Sequence, residues 1–344
     1  MEEEKVRNYF FYFASFVIII AGFKAANEIV IVLFLSIFTS SIISSILNIL
    51  EKKHIPRLIS YLLVLGIFTL ISLLLAYIVN ISLKDFITNL PIYESKLQQA
   101  IVDTIAFTDS YGYEIDKKTI LDALNLNSFF GITTNLIGSI GTFLSKFLLI
   151  IIGIGFILAE SKSFEKKLIL IFRKEGDKIE HFNLFSSNIQ KYFLVKTATS
   201  FLTGFLVAIT LIFFNIDYPI LWGVVAMLFN FIPVVGSIIA AIPAVLLSFV
   251  TTDLNTTLIL IVLYLAINIS ISNIIEPKFM GKELGLSPLV IFFSLILWGW
   301  VLGIVGMFLA VPITMTLKIA FDSNDTTKWI SLLMSNIGNN QKTT

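Results

Sequence analysis

The sequence predicts an all-α, polytopic helical membrane protein with six to eight transmembrane segments and two re-entrant helical hairpins in an inverted repeat. Composition is the first reason: 57% of the 344 residues are hydrophobic, only 14% are charged, and the mean hydropathy is +0.92. Soluble domains run at about 45–50% apolar and about 25% charged residues, so a chain folded in water could not hide this much apolar surface. The second reason is the recurrence of apolar runs of 15 to 33 residues with few or no charges, the length class that crosses a bilayer as helix. Third, two of these runs, 219–250 and 289–321, are broken midway by glycines and prolines in similar order. The 32 phenylalanines do not argue for a barrel, whose strands alternate polar and apolar residues over about ten positions.

Residues 1–80 read as an N-terminal three-helix membrane region. Its first run, 9–23, has 15 residues and spans about 22 Å as helix, short of the roughly 30 Å hydrocarbon core. A polar knot from Lys24 to Glu28 separates it from 29–50, and the basic loop 51–57 leads to a clean third span, 58–79. Residues 81–139 are expected to form an extracytoplasmic helical and loop domain, hydrophilic, with seven acids against four lysines between 81 and 138. One transmembrane helix follows within 140–161. Residues 162–196 are amphipathic, with Phe164, Leu168, Ile171 and Phe172, then Ile179, Phe182, Phe185, Ile189 and Phe193, on one face and a break at Gly176. Segments of this kind lie in the membrane interface. The stretch 197–322 holds two ordinary spans, 198–214 and 258–275, with both interrupted runs, and 323–344 is a polar tail.

Charge sets the expected direction. Placing the N-terminus, the loops 51–57 and 276–287, the segment 161–196 and the C-terminus in the cytoplasm puts 18 of the 24 Lys and Arg residues inside, as the positive-inside rule requires. The acidic start Met1-Glu2-Glu3-Glu4-Lys5 and the lack of a small-residue cleavage site argue against a removable signal peptide. With no cysteine in the chain, disulfides, zinc–thiolate centres and thiol catalysis are excluded.

Length argues that the interrupted runs are hairpins. They have 32 and 33 residues, so each would be roughly 48–50 Å as one helix, far more than the bilayer needs. Two half-helices turning at Pro233/Gly236, and at Gly299/Gly303/Gly306, fit more simply, because proline removes a donor and glycine tolerates unusual dihedrals. The first run has Val-Val-Gly ending at Gly236, six residues, then Pro243; the second has Ile-Val-Gly ending at Gly306, five residues, then Pro312. The charge-derived orientation makes the hairpins enter from opposite faces. A pair of interrupted segments in corresponding positions is the best sequence-level pointer to a transporter's substrate site. The candidate path therefore comprises Asn230, Pro233, Gly236, Ser237, Pro243, Asn268, Asn273, Gly303, Gly306 and Pro312, with Ser270 and Ser272 nearby. For any single glycine, proline or serine, helix packing is an even competitor.

From Asn230 onward the wording resembles the autoinducer-2 exporter (AI-2E) family. The motifs that carry the resemblance are Pro233–Gly236, Glu276-Pro277-Lys278-Phe279-Met280-Gly281-Lys282 with Leu286-Ser287-Pro288, and Gly303–Gly306 with Ala310-Val311-Pro312. No single element is specific; the ordered set over about 115 residues is. The resemblance implies a homo-oligomeric bacterial inner-membrane transporter, with a pentamer as one expected number. It also implies export of autoinducer-2 or, for some members, sodium–proton antiport. Many members carry an acid a few positions before the Glu-Pro loop, where this chain has Ile271.

Ionisable residues at membrane depth are functional candidates by default. Glu276, Pro277, Gly281 and Asp217 form the candidate set for loop docking or ion coupling, although interfacial anchoring or helix capping competes for each charge. Lys24, Glu28, Lys146 and Glu160 also sit at segment ends. His54 and His181 show no metal-ligand spacing, and no Walker or Gly-x-Ser-x-Gly motif is present, so an enzyme, a metal site and a cofactor are not expected. Nothing points to nucleic acid; the expected partners are membrane lipid, a small polar solute or ion, and further copies of the chain. A secondary transporter, a passive pore and a non-transporting scaffold stay open as function classes.

Overall fold

The computed structural model describes residues 2–109, 146–171, 176–233, 235–280, 285–324 and 326–336. Regular structure among these residues is helical throughout. The order is α1 (Glu2–Ala25), α2 (Asn27–Lys52), α3 (Arg57–Asp109), α4 (Phe147–Ile171), α5 (Gly176–Phe213), α6 (Pro219–Phe229), α7 (Val235–Thr251) and α8 (Leu254–Ser270). From α8 the chain passes through a π-helical turn, Ile271–Ile275, straight into α9 (Glu276–Met280); α10 (Pro288–Asp322) and α11 (Lys328–Met334) follow. Among the described residues, five helices are long and apolar enough to cross a membrane. Their outer faces are apolar, as at Leu62, Leu70, Phe201, Phe205 and Val262, which are all exposed. That surface needs lipid as its solvent, and the chain is a multi-pass membrane protein.

Several expected boundaries move. The third span does not stop at residue 79: α3 continues through Pro91 to Asp109, because polar wording ends a membrane span without ending a helix. For the same reason α4 runs past Glu160 to Ile171, and α5 joins the end of the amphipathic segment to the next span without a break. The loop expected from Glu276 begins as the helix α9. Residues 110–139 of the 81–139 domain, residues 172–175 beside the expected break at Gly176, and Gly281 lie outside the described residues, and Gly176 itself opens α5.

The chain divides into two compact units, Met1–Leu65 with Lys146–Leu194 and Met280–Thr344, and Gly66–Ser145 with Val195–Phe279. In the first unit α2 packs on α4. Ser36 donates to the Ile150 carbonyl at 3.3 Å, and a Cβ on Gly153 would come within 2.4 Å of the Ser36 hydroxyl. Tyr61 donates to the Gly155 carbonyl at 3.0 Å, and Arg57 to the Leu158 carbonyl at 3.3 Å. Small residues let helices approach closely enough for such bonds in lipid, where apolar burial alone gives little drive. In the second unit α6 packs on α7 and α7 on α8. Asp253 caps α8 by accepting from the Thr256 amide and hydroxyl, and those bonds hold its carboxyl below the usual range.

Each interrupted run folds back on itself. A straight α10 would hold Trp298 and Thr314 about 24 Å apart, yet Trp298 Nε1 donates to Thr314 Oγ1 at 3.2 Å. The bend is Gly303, at φ 68° and ψ −151°, a region open essentially to glycine alone. A Cβ there would meet nothing within 4 Å, so any penalty for Gly303→Ala is conformational. Thermal unfolding in detergent is expected to show a loss of about 1–3 kcal/mol, with Gly22→Ala, equally unobstructed, as the reference. The expected bend at Gly299, Gly303 or Gly306 thus resolves to Gly303. The first run makes α6, a turn at 230–233, and α7.

Candidate functional site

The second unit carries the polar groups of interest. Asn215 and Tyr218, both with positive φ, reverse the chain between α5 and α6, and Pro219 starts α6 where its missing N–H costs nothing. Tyr93 donates to Asp217 Oδ2 at 2.8 Å, and Asn89 Nδ2 donates to the Tyr218 hydroxyl at 2.8 Å. Phe86 sits edge-on to Trp222 with ring centroids 5.3 Å apart. Asp217 therefore secures a strained reversal. It stands at the opposite end of α6 from Asn230.

α5 and α6 then run antiparallel in close contact. A Cβ on Gly204 would lie 2.5 Å from the Gly223 carbonyl oxygen, and one on Gly223 would lie 2.8 Å from Ala208 Cβ. This register brings Asn230, at the end of α6, against Ser200: Asn230 Nδ2 donates to Ser200 Oγ at 3.0 Å, and Asn230 is buried. Ser200 stands near the middle of the apolar stretch Ile189–Phe213 of α5. The hairpin turn accordingly sits half-way along a helix long enough to span.

Ser248 and Thr257 share a hydroxyl–hydroxyl bond of 3.1 Å that sets the antiparallel register of α7 and α8. Buried Gly236, Ala240 and Ala244 make this part of α7 narrow. Tyr264 OH and Asn268 Oδ1 are buried without a hydrogen-bond partner among the described residues. Leaving such a group unpaired costs about 1–3 kcal/mol. Asn230, Pro233, Gly236 and Ser237 thus stand at the hairpin turn, while Asn268 lies on the neighbouring helix α8.

Eight residues beyond Asn268, Glu276 Oε1 accepts from Lys196 Nζ at 2.6 Å and from Thr199 Oγ1 at 3.0 Å. Only 6% of the Lys196 side chain and 13% of the Glu276 side chain are exposed. The π-helical turn just before Glu276 rotates the following residues relative to α8, and such turns concentrate at functional positions. Lys196 escaped the sequence reading because it closes a lysine-bearing amphipathic stretch, where it resembles an interfacial anchor. The retrievable signal was a lone cation followed only by hydroxyl and apolar residues up to Phe214.

The remaining candidates lie elsewhere. Asn273, Pro277, Ser270 and Ser272 are exposed, and Pro243 is buried inside α7. Gly303, Gly306 and Pro312 belong to α10 in the first unit, so the two hairpins fall in different units. Their construction is the same. A Cβ on Gly236 would lie 1.9 Å from the Phe229 carbonyl oxygen and 2.9 Å from Ile232 Cβ; one on Gly306 would lie 1.9 Å from the Trp298 carbonyl oxygen and 2.7 Å from Leu302 Cβ. In each hairpin the second arm's glycine is pressed on a first-arm carbonyl. Around the second hairpin, Phe23 lies 6.4 Å from Trp298 between ring centroids, and Lys24 Nζ stands 3.6 Å from the centre of the Trp300 ring. Among the described residues no group of His, Asp and Glu side chains could hold a metal ion.

Apolar helices long enough to span, two of whose neighbouring runs fold as helical hairpins, define a polytopic helical membrane protein. The chain belongs to the AI-2E transporter family, whose family pattern matches residues 13–324. It is 31% identical to a candidate transport protein of Haemophilus influenzae over 94% of this chain and 95% of that one. It is 28% identical to the AI-2 transport protein TqsA of Escherichia coli over 93% of each chain. A candidate transport protein of Borreliella burgdorferi is 29% identical over 96% of this chain and 91% of its own length.

Proposed function

We propose that this protein is a secondary transporter that exports a small polar solute across the bacterial inner membrane by alternating access. The observation that carries the reading is the pair of helical hairpins, each locked by a glycine against its own first arm. In this reading both hairpins are re-entrant, enter from opposite faces and form an inverted repeat, with both termini in the cytoplasm and the protein a homo-oligomer in lipid. Half-helix ends and turn backbone then face the solute at mid-membrane. The name of the Escherichia coli relative makes autoinducer-2 the first solute to try.

Proteoliposome flux tests the proposal, with sodium or proton gradients imposed or omitted. Saturable flux that follows a gradient is the expected result; unsaturable conductance would indicate a passive pore, and no flux of any candidate solute would sink the reading. Topology is tested separately, since single cysteines can be labelled without background in a chain that has none. Lys278→Cys is expected to react only from the cytoplasmic side, and reaction only from outside would overturn the second re-entrant hairpin. A second reading, sodium–proton antiport, is favoured by the Glu276 carboxylate at the end of an apolar helix. It requires proton release on sodium addition.

A further inference from the structure

We infer that Tyr264 and Asn268 form a recognition site for an uncharged, hydroxyl-bearing solute within the second unit. The inference rests on the transporter reading and adds the solute's chemical class and two of its contacts. Tyr264 and Asn268 are four residues apart on α8, so their side chains share one face. That face is the buried one, since Thr257, Leu260, Tyr264 and Ile271 all turn inward. Among the described residues two buried polar atoms there have no hydrogen-bond partner, and neither has Trp222 Nε1 on α6, whereas the Ser248, Thr257, Asn230 and Ser200 side chains are all hydrogen-bonded. Native interiors pair such groups, so a pair of orphans on one face calls for a missing partner.

The chemistry of the two atoms specifies that partner. Tyr264 can donate or accept, and Asn268 Oδ1 accepts. One hydroxyl satisfies both, donating to Asn268 and accepting from Tyr264. A charged solute is disfavoured: Lys196 and Glu276, the buried charges among the described residues of this unit, neutralise each other, and Glu276 lies eight residues beyond Asn268, about 12 Å by helical rise. On α7, which packs on α8, buried Ala240 and Ala244 are small, and the start of that helix lends its positive dipole end to a solute oxygen.

The test uses the full chain with glycerol, erythritol and xylitol as probes and lactate and ethanolamine as charged comparisons. In detergent, the polyols are expected to raise the unfolding temperature of the native protein and the charged compounds to leave it unchanged. Tyr264→Phe and Asn268→Leu should melt at or above the native temperature without solute, since each removes a buried orphan, and should lose the polyol shift. In proteoliposomes the same variants are expected to raise half-saturation for polyol flux at least tenfold, while Tyr77→Phe, an exposed tyrosine of α3, matches native protein. If the polyols give no shift, or shift the variants as much as native protein, the site is overturned, and water filling is the surviving account. Gradient-driven flux unchanged by both variants would overturn the site while leaving the transporter reading intact. A polyol shift without any flux would support the site and overturn transport.

Discussion

Glu276→Ala is expected to destabilise the protein by about 3–5 kcal/mol, the loss typical when one member of a buried ion pair is removed. The magnitude follows from what is left behind. Lys196 is 5% exposed, its ammonium would have no counter-charge, and Thr199 would lose its carboxylate acceptor. Removing both charges tells a different story. Lys196→Met combined with Glu276→Leu should recover most of the lost stability, because buried pairs replaced by apolar side chains of similar volume are often neutral. If the pair serves only the fold, the double variant transports normally; if it serves ion coupling, the double variant folds and its flux no longer follows the gradient. Unfolding in detergent, with size-exclusion profiles to monitor assembly, checks the first part. A single variant that melts like the native protein would show the pair to be dispensable.

Gly236→Leu and Gly306→Leu are expected to abolish transport, and even alanine at either position should be poorly tolerated. The obstacle is backbone: the added carbon would sit 1.9 Å from the Phe229 or Trp298 carbonyl oxygen, which cannot swing away as a side chain can. Relief requires the arms of the hairpin to part, and the cost lies at or above the upper end of the roughly 1–3 kcal/mol usual for overpacking. Gly66→Ala provides the contrast, since a Cβ there meets nothing within 4 Å. Unfolding temperature and flux should fall together for the hairpin glycines and stay put for Gly66. Normal flux in both leucine variants would remove the hairpins from the mechanism.

The hairpins were legible because they violate two rules at once, being too long for one span and carrying helix breakers in matching order. Which glycine bends was not legible. Gly299, Gly303 and Gly306 look alike in sequence, and only φ and ψ distinguish the bend at Gly303 from the close contacts at its neighbours. Helix ends were misread wherever hydropathy changed while helix propensity did not, as along α3 and α5. Glu276 was singled out by its place after an apolar run. Its partner was hidden, since a contact 80 residues away leaves no local trace. The polar residues of α8 offered a partial clue: alternating Asn268, Ser270 and Ser272 cannot share one helical face, and the structure turns Asn268 inward while exposing the two serines.

The bend at Gly303 and the contact at Gly306 both require glycine, yet they require opposite properties of it. At Gly306 the demand is for smallness. At Gly303 there is open space, and the dihedrals of 68° and −151° mirror the extended polyproline conformation that ordinary residues adopt readily. What this position uses is the absence of handedness, so neither alanine nor serine can stand in for it however well they fit. Three residues apart, one helical hairpin thus selects the same amino acid once for its volume and once for its symmetry.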